Sequence, residues 1–489
     1  MSRIVLRNLS LGYLLLPNLI FYLGWFRFPL AVILAVGLIY AAYINTQGGL
    51  KDDAKKLSGK ELLTLGILAL FLTAYSGIGG YCFQILDYWA HNSKYYTLFS
   101  HSWPVVFQEN GRLACHYFGF FLAPALLSKM LGHVSDEALF IWALLGFFLG
   151  MCWLYIISLR SFFAVALFMS LGGIGHLLKV IFIQVAGLDY QVPPFFIELW
   201  PVLYQAQWAP NQLIPVIIVC SVLFNDLVFE KRPERSFLFI ISIFTWGIFP
   251  SVILVLIFSG ILAYHYLSRI KSFISFQVLR QIIFPGIIFI PTFFFFLSGG
   301  GSVVNGFVWK FAPFKEIAYQ YFFGVLVDVL ILLTIIIRLK LHKGPYAVLI
   351  CGIFVMLIAV SLFRMGRWND WFLRGSVPLM VILSLFVVNK FSAWISQQPG
   401  WYKHKISYPI IGLFILGSVV PVMHVKRALQ ENVVTHALFP ARIKFEPYPY
   451  NKYPDFYEMG KVVYSEEEAN QFLGVKGSVY ERFLSRLEP

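Results

Sequence analysis

One acid and two histidines, Asp87, His91 and His101, crowd the segment QILDYWAHNSKYYTLFSHSWPVVFQENGR at 84–112, and His116 follows closely. The segment is the first long polar interruption in an otherwise lipid-like chain and opens just beyond an apolar run at 62–83. A carboxylate held at head-group depth can take a proton from a hydroxyl or amine, or bind a metal. Trp89, Tyr95, Tyr96 and Trp103 around it suit a membrane interface. The plainer alternative for Asp87 is a solvated acid at a helix end. For His91 it is a structural or surface histidine. In the functional reading His91, one helical turn after Asp87, orients the acid or binds phosphate, while Asn92, Lys94 and Arg112 add polar and cationic groups. The histidines have no metal-ligand spacing.

Two later polar segments carry complementary chemistry. LDYQVPPFFIELWPVLYQAQWAPNQ at 188–212 ends in Trp208, Asn211 and Gln212 at the mouth of a helix. Indoles and amides there can hydrogen-bond a hydroxyl-rich ligand and stack on its apolar faces, although interfacial Trp and Tyr also anchor ordinary membrane helices. Asp189 and Glu198 are further acids that could partner Asp87. RMGRWNDWFLRGSVP at 364–378 gathers Arg364, Arg367, Asp370 and Arg374. Guanidinium groups can grip a phosphate with two prongs. Internal pairing of Arg374 with Asp370, or with Asp328 in an apolar run, is the structural alternative.

What must position these groups follows from composition. Of 489 residues, 59% are hydrophobic and 13% charged, too apolar a chain for a soluble globule. The apolar runs are long enough to cross a hydrocarbon core of about 30 Å as helices, so the chain reads as an all-α polytopic membrane protein. The net charge of +14 is spread over short breaks: Lys51, Lys55, Lys56 and Lys60; Lys231, Arg232 and Arg235; Arg269, Lys271 and Arg280; Arg338, Lys340 and Lys343; Lys403 and Lys405. Such breaks are cytoplasmic loops under the positive-inside rule rather than a nucleic-acid surface. Cys82, Cys115, Cys152, Cys220 and Cys351 are scattered, without disulfide or zinc spacing. The first apolar stretch lacks a small-residue cleavage site and is read as a retained anchor.

With the amino terminus cytoplasmic, spans are expected near 9–25, 28–45, 61–83, 138–158, 162–178, 212–228, 237–248, 250–268, 281–298, 320–338, 346–363, 376–396 and 408–425, about thirteen in all. The run 115–131 is expected to lie along the interface, because a span there would put the later basic loops outside. Outer loops then fall at 84–137, 179–211, 299–319 and 364–375. Two helices rather than one across 237–267 best satisfy the charge rule. Residues 1–425 form the membrane module, and 426–489 a short outer-face tail that caps it, too small for an independent enzyme domain.

The motifs ILDYWAHN, SWPV, YFGFFLAPALLSKMLG, WAPNQLIP and NDWFLRGSVP together resemble a group of bacterial membrane proteins of the GT-C glycosyltransferase superfamily. The layout is similar to that of protein O-mannosyltransferases and aminoarabinose transferases, over most of 62–388. The resemblance implies a GT-C-like bundle with outer-face juxtamembrane helices, a polyprenyl-phosphate-linked sugar as donor and an acid in the first outer loop as catalyst. Outer-face basic residues would hold the phosphate. Matched residue by residue, Asp87 becomes the base and Arg374 the phosphate ligand. Two departures stand: three helices precede the acidic loop rather than one, and Tyr88 follows Asp87 where the superfamily has a second acid.

The resulting expectation is an inverting glycosyltransferase in a bacterial inner membrane, with its carboxyl terminus periplasmic or extracellular. Its acceptor is a lipid, glycan or protein, its surroundings are membrane lipid, and no nucleic acid is involved. A divalent metal is left open as a cofactor. The rivals are a transporter or flippase for a lipid-linked saccharide, which should show broken helices and buried ionisable groups such as Asp328, and an O-antigen polymerase or ligase using a lipid diphosphate.

Overall fold

Ser58 and Glu61 show how this sequence starts a span. The Ser58 side chain accepts from the Glu61 amide while the Glu61 carboxylate accepts from the Ser58 amide at 2.7 Å, a reciprocal cap on the Gly59–Ser76 helix. Ser2, Ser135, Ser161 and Ser275 accept from the first turns of Arg3–Trp25, Asp136–Ile157, Phe162–Ser170 and Phe276–Leu297 in the same position. The computed structural model describes residues 1–47, 56–188, 193–266, 275–300, 304–398, 400, 402, 407–430 and 446–487. Lys51, Lys55, Asp189, Arg269, Lys271, Lys403 and Lys405 lie outside the described residues.

The chain is 74% helical, and ten of the described helices are long and apolar enough to cross a membrane. It is a nearly all-α, multi-pass membrane protein. One antiparallel pair of short strands, Asn305–Phe307 against Phe363–Met365, ties two loops together.

Three expected spans take other forms. The run at 162–178 is a bent pair, Phe162–Ser170 and Ile174–Val185, meeting at 52°. Gly172 and Gly173, at φ +94° and +78°, supply the left-handed turn that breaks it. The run at 237–248 contains only the six-residue helix Phe237–Ser242 with tight turns on either side. The run at 346–363 is the 15-residue helix Ala347–Ser361. The third span also stops early: Gly77, left-handed at φ +84°, ends its helix at Ser76 and frees 78–87 as a loop.

The region around Pro250 turns back on itself. Tyr266, at the end of Ile248–Tyr266, donates to the Glu234 carboxylate at 3.0 Å, so the chain leaves one end of the bundle at 234 and returns to it at 266. The Gly119–Leu131 helix, 13 residues and so about 20 Å long, is too short for a bilayer core. Lys129 near its end donates to the Phe99 and His101 carbonyls at 2.7 and 2.6 Å, keeping it beside the Asp87 loop.

Contacts sort the loops into two ends. At one end Arg3 meets Glu230 (3.7 Å), Arg7 meets Asp226 (2.6 Å), Arg160 meets Glu61 (2.9 Å) and Lys231 meets Tyr346 (2.6 Å). At the other, the carboxyl-terminal segment covers the loops: Phe26 bridges Ser485, Ala114 bridges Leu473 and Gly299 bridges Gly474. Tyr480, fully buried, donates to the Trp25 carbonyl at 2.7 Å. Asp87 lies at this covered end.

Candidate functional site

Asp87 occupies the residue before the Tyr88–Ser100 helix, where an acid ordinarily spends its oxygens on backbone amides. Here the side chain makes no capping bond. The loop before it is pinned instead by Gln84, which donates to the Gly77 carbonyl at 2.8 Å, and by the Tyr88 hydroxyl on the Ser76 carbonyl. The carboxylate is thereby left to face Arg374, whose Nη2 stands 3.3 Å from Oδ2.

Arg374 projects from the second turn of Asp370–Ser396. Its Nε lies 3.9 Å from Asp370 on the preceding turn, and its Nη1 donates to Gln205 Oε1 at 3.4 Å. Two backbone features aim that helix. Asn369 sits left-handed at φ +66° with its side chain donating to the Phe196 carbonyl at 3.0 Å. Gly366, at φ +82°, passes so close that a methyl there would lie 2.7 Å from the Asp370 carboxylate.

Lys94 completes the group. It is 5% exposed, and its Nζ hangs over the Tyr117 ring at 5.3 Å and the Phe472 ring at 5.9 Å. Burial pushes its ammonium down to about 8, opposed by the charges of Asp87 and Asp370. Burial likewise pushes the Asp87 carboxyl up from 3.8 to about 6, against Arg374 and Lys94 and with Asp370 assisting. Asp87 nevertheless keeps 30% of its side chain accessible. An acid near 6 beside two cations can exchange a proton at neutral pH and tolerate an anion alongside.

His91 lies one turn after Asp87 on the same helix. Its Nε2 contacts the Trp208 carbonyl at 3.4 Å, and burial drives its ring down to about 3. It is therefore a neutral ring at physiological pH, able to offer a hydrogen bond but no charge. His116 is held low by burial in the same way. Buried polar atoms without a protein partner cluster here: His91 Nδ1, His116 Nε2, Gln207 Oε1, Trp208 Nε1, Asn211 Oδ1 and Gln212 Oε1. The His91 contact with the Trp208 carbonyl and the Gln212 bond to Tyr117 place these residues beside the Asp87 helix. A polyhydroxyl ligand matches that mix of donors and acceptors. Gln212 also donates to the Tyr117 hydroxyl at 3.1 Å, linking this wall to Lys94.

Other expected residues are engaged elsewhere. Asn92 donates to Gln84 (3.3 Å) and the Tyr448 carbonyl (2.6 Å), which binds the Asp87 loop to the carboxyl-terminal segment. Arg364 is sandwiched between Phe195 and Phe311 at 4.8 and 4.6 Å, with its guanidinium on the Gly366 and Arg367 carbonyls. Arg367 pairs with Glu468 at 3.1 Å on the exposed surface. Glu198 serves His176 and Lys179 rather than Asp87. Among the described residues no cluster of His, Cys, Asp or Glu could hold a metal, and Arg374 is the cation that Asp87 and Asp370 share.

Sequence reasoning underrated three residues. Lys94 lies seven residues, two helical turns, beyond Asp87 and so on the same face, a signal that was readable. Gln205 sits inside the polar segment that was already singled out. Tyr464 comes from the carboxyl-terminal segment, and the charges of Asp87 and Asp370 help raise its phenol, after burial. No sequence signal pointed there.

These placements separate two roles. Arg364→Ala should lower the melting temperature by removing the filling of an aromatic sandwich, with ligand affinity unchanged. Arg367→Ala should change neither beyond the 0–1 kcal/mol or so of a surface pair. Thermal melts and lipid-phosphate titrations of both variants check this; a loss of affinity in Arg364→Ala at unchanged stability would return that residue to the site.

No family model, curated protein or solved structure matches the chain. The site therefore rests on its own geometry.

Proposed function

We propose that the protein is an inverting glycosyltransferase that moves a sugar from a polyprenyl-phosphate donor to an acceptor at the outer face of a bacterial inner membrane. One observation carries the reading: Asp87 and Arg374, 287 residues apart, meet at 3.3 Å beside Lys94. In a single displacement the acceptor oxygen or nitrogen attacks the anomeric carbon and gives its proton to Asp87. The bond from that carbon to the phosphate oxygen breaks, and the phosphate leaves with the electron pair. Arg374 and Lys94 neutralise it, and a guanidinium suits it because two N–H groups meet two oxygens. The resemblance of the Asp87 and Arg374 motifs to GT-C enzymes supports the same reaction class. Release of free polyprenyl phosphate by the purified protein is expected with its cognate donor. A donor panel left intact would reject the reading.

The orientation belongs to the same proposal: amino terminus cytoplasmic, Gly119–Leu131 along the outer interface, and 426–489 as an outer cap over a bundle of about thirteen helices and half-helices. Single cysteines introduced at Arg367 and Phe483, both exposed, should react with an impermeant thiol reagent, and those at Arg232 and Lys340 should not. Outside labelling at Arg232 would reverse the thread. The cysteine-free background needs no disulfide repair, since Cys82, Cys115, Cys152, Cys220 and Cys351 are free.

A transporter for a lipid-linked saccharide remains the second reading, on one specific observation. The bent pair at 162–185 creates a buried helix amino terminus at Ile174, where Asp328 accepts from the Ile174 and Gly175 amides at 3.0 and 3.4 Å. Broken helices with buried carboxylates are the substance of ion-coupled carriers. Against it, the described residues contain one such bent pair, and carriers use two.

A further inference from the structure

Arg374 answers two carboxylates, and they hold it unequally. Asp87 accepts from Nη2 at 3.3 Å. Asp370, one turn earlier on the Arg374 helix, stands 3.9 Å from Nε, too far for a hydrogen bond. It is also the more open of the two, with 42% of its side chain accessible against 30% for Asp87. Its place is nonetheless built into the backbone. Gly366, left-handed at φ +82°, leaves the carboxylate room that a Cβ, 2.7 Å away, would take. The transfer reaction gives Asp87 the proton and Arg374 the phosphate, and leaves Asp370 without a task.

The charges around it supply one. Arg374 and Lys94 alone would make a doubly positive site, and Lys94 is near enough for the charges of both Asp87 and Asp370 to act on it. The two carboxylates bring the four groups to zero net charge. Glu468, the next acid, is answered by Arg367 at 3.1 Å, and burial keeps His91 and His116 neutral, so none of them alters that count. A site of zero net charge can grip phosphate through its guanidinium donors while gaining nothing from a second negative charge. That distinction matters to a transferase, because a sugar donor is a phosphodiester with one charge and the spent carrier is a monoester with nearly two. Once Asp87 has taken the acceptor's proton, Asp370 is the carboxylate left to oppose the charge that the phosphate has gained. Resting on the transferase reading, we propose that Asp370 is the charge-selecting residue of the phosphate site, denying the doubly charged product the extra hold that Arg374 and Lys94 would give it.

The test measures binding of two lipids to the full chain in nanodiscs at low salt and about pH 7.5, where polyprenyl monophosphate and its methyl ester share a chain and differ by nearly one charge. The parent should bind the two within about threefold of each other. Asp370→Asn should favour the monoester over the ester by at least about fivefold more than the parent does, the effect of one unit charge at about 4 Å under water-like screening. Asp370→Glu restores the charge and should return the parental ratio. An acid with a structural role alone would leave the ratio where it was, whatever its loss did to the melting temperature. An unchanged ratio in Asp370→Asn would therefore overturn the proposal. So would a parent that already prefers the monoester by about tenfold, a result that needs no variant to fold. Failure of the parent to bind either lipid would overturn the proposal and the transferase together. The expected shift in Asp370→Asn, from a protein that cleaves no donor, would keep the charge selection and reject the transferase alone.

Discussion

Asp87→Asn is expected to fold normally and to lose at least about a hundredfold in sugar transfer, the lower range for removal of a general base. The amide keeps the size of the side chain and can still accept one bond from Arg374. It cannot take a proton. The pH dependence gives the same result a second signature. Asp87 must be ionised to act, so transfer should rise with pH through about 6, and if Lys94 must carry charge it should fall again through about 8. Stability should move the opposite way on the acid limb. The folded-state carboxyl is raised from 3.8 to about 6, so the native state holds the proton more tightly than the unfolded chain, and stability is lost as pH rises through that window. Asp87→Asn removes the penalty, and its melting temperature relative to the parent should climb between pH 4 and pH 6. Transfer at the parental rate by this variant would leave Asp87 a structural acid.

Arg374 should show the opposite balance of effects. Removing it leaves Asp87 and Asp370 with Lys94 as their remaining cation, and because both carboxylates are partly exposed the cost falls below the roughly 3–5 kcal/mol of truncating a fully buried pair. Arg374→Ala is therefore expected to lower the melting temperature and to weaken lipid-phosphate binding together. Arg374→Lys restores the charge but not the fork that touches Asp87, Asp370 and Gln205 at once, so stability should recover most of the way while donor affinity stays low. Melting curves and polyprenyl-phosphate titrations of both variants decide it. Full recovery of affinity in Arg374→Lys would mean that charge alone is needed; unchanged affinity in Arg374→Ala would remove the residue from the ligand site.

Much of this site could be read before the fold was known because its parts sit in short polar breaks of a lipid-like chain. Asp87, Arg374, Trp208, Asn211 and Gln212 stand out for that reason. Crowding in one short segment identified an arginine cluster but could not sort its members. Arg364 went to an aromatic sandwich and Arg367 to Glu468, choices fixed by Phe195, Phe311 and the carboxyl-terminal segment, all distant in sequence. The spans followed apolar content, which is blind to backbone conformation. The run at 162–178 is apolar throughout, yet two left-handed glycines divide it. The helix at 59–76 ends at Gly77 although its apolar run continues to 83. Burial, which sets the proton affinities of Asp87, His91 and Lys94, is a property of the assembled bundle and has no local signal.

The central claim is that the Asp87 and Arg374 pair breaks the bond between sugar and lipid phosphate. The most direct measurement is a proteoliposome assay in which a polyprenyl-phosphate sugar, labelled in the sugar, is followed for both its leaflet and its covalent attachment. The account predicts that label leaves the lipid at the face bearing Asp87, that free polyprenyl phosphate appears in equal amount, and that Asp87→Asn abolishes both. Label that changes leaflet while still bonded to its lipid, at the same rate in parent and Asp87→Asn, would contradict the account and make the protein a carrier.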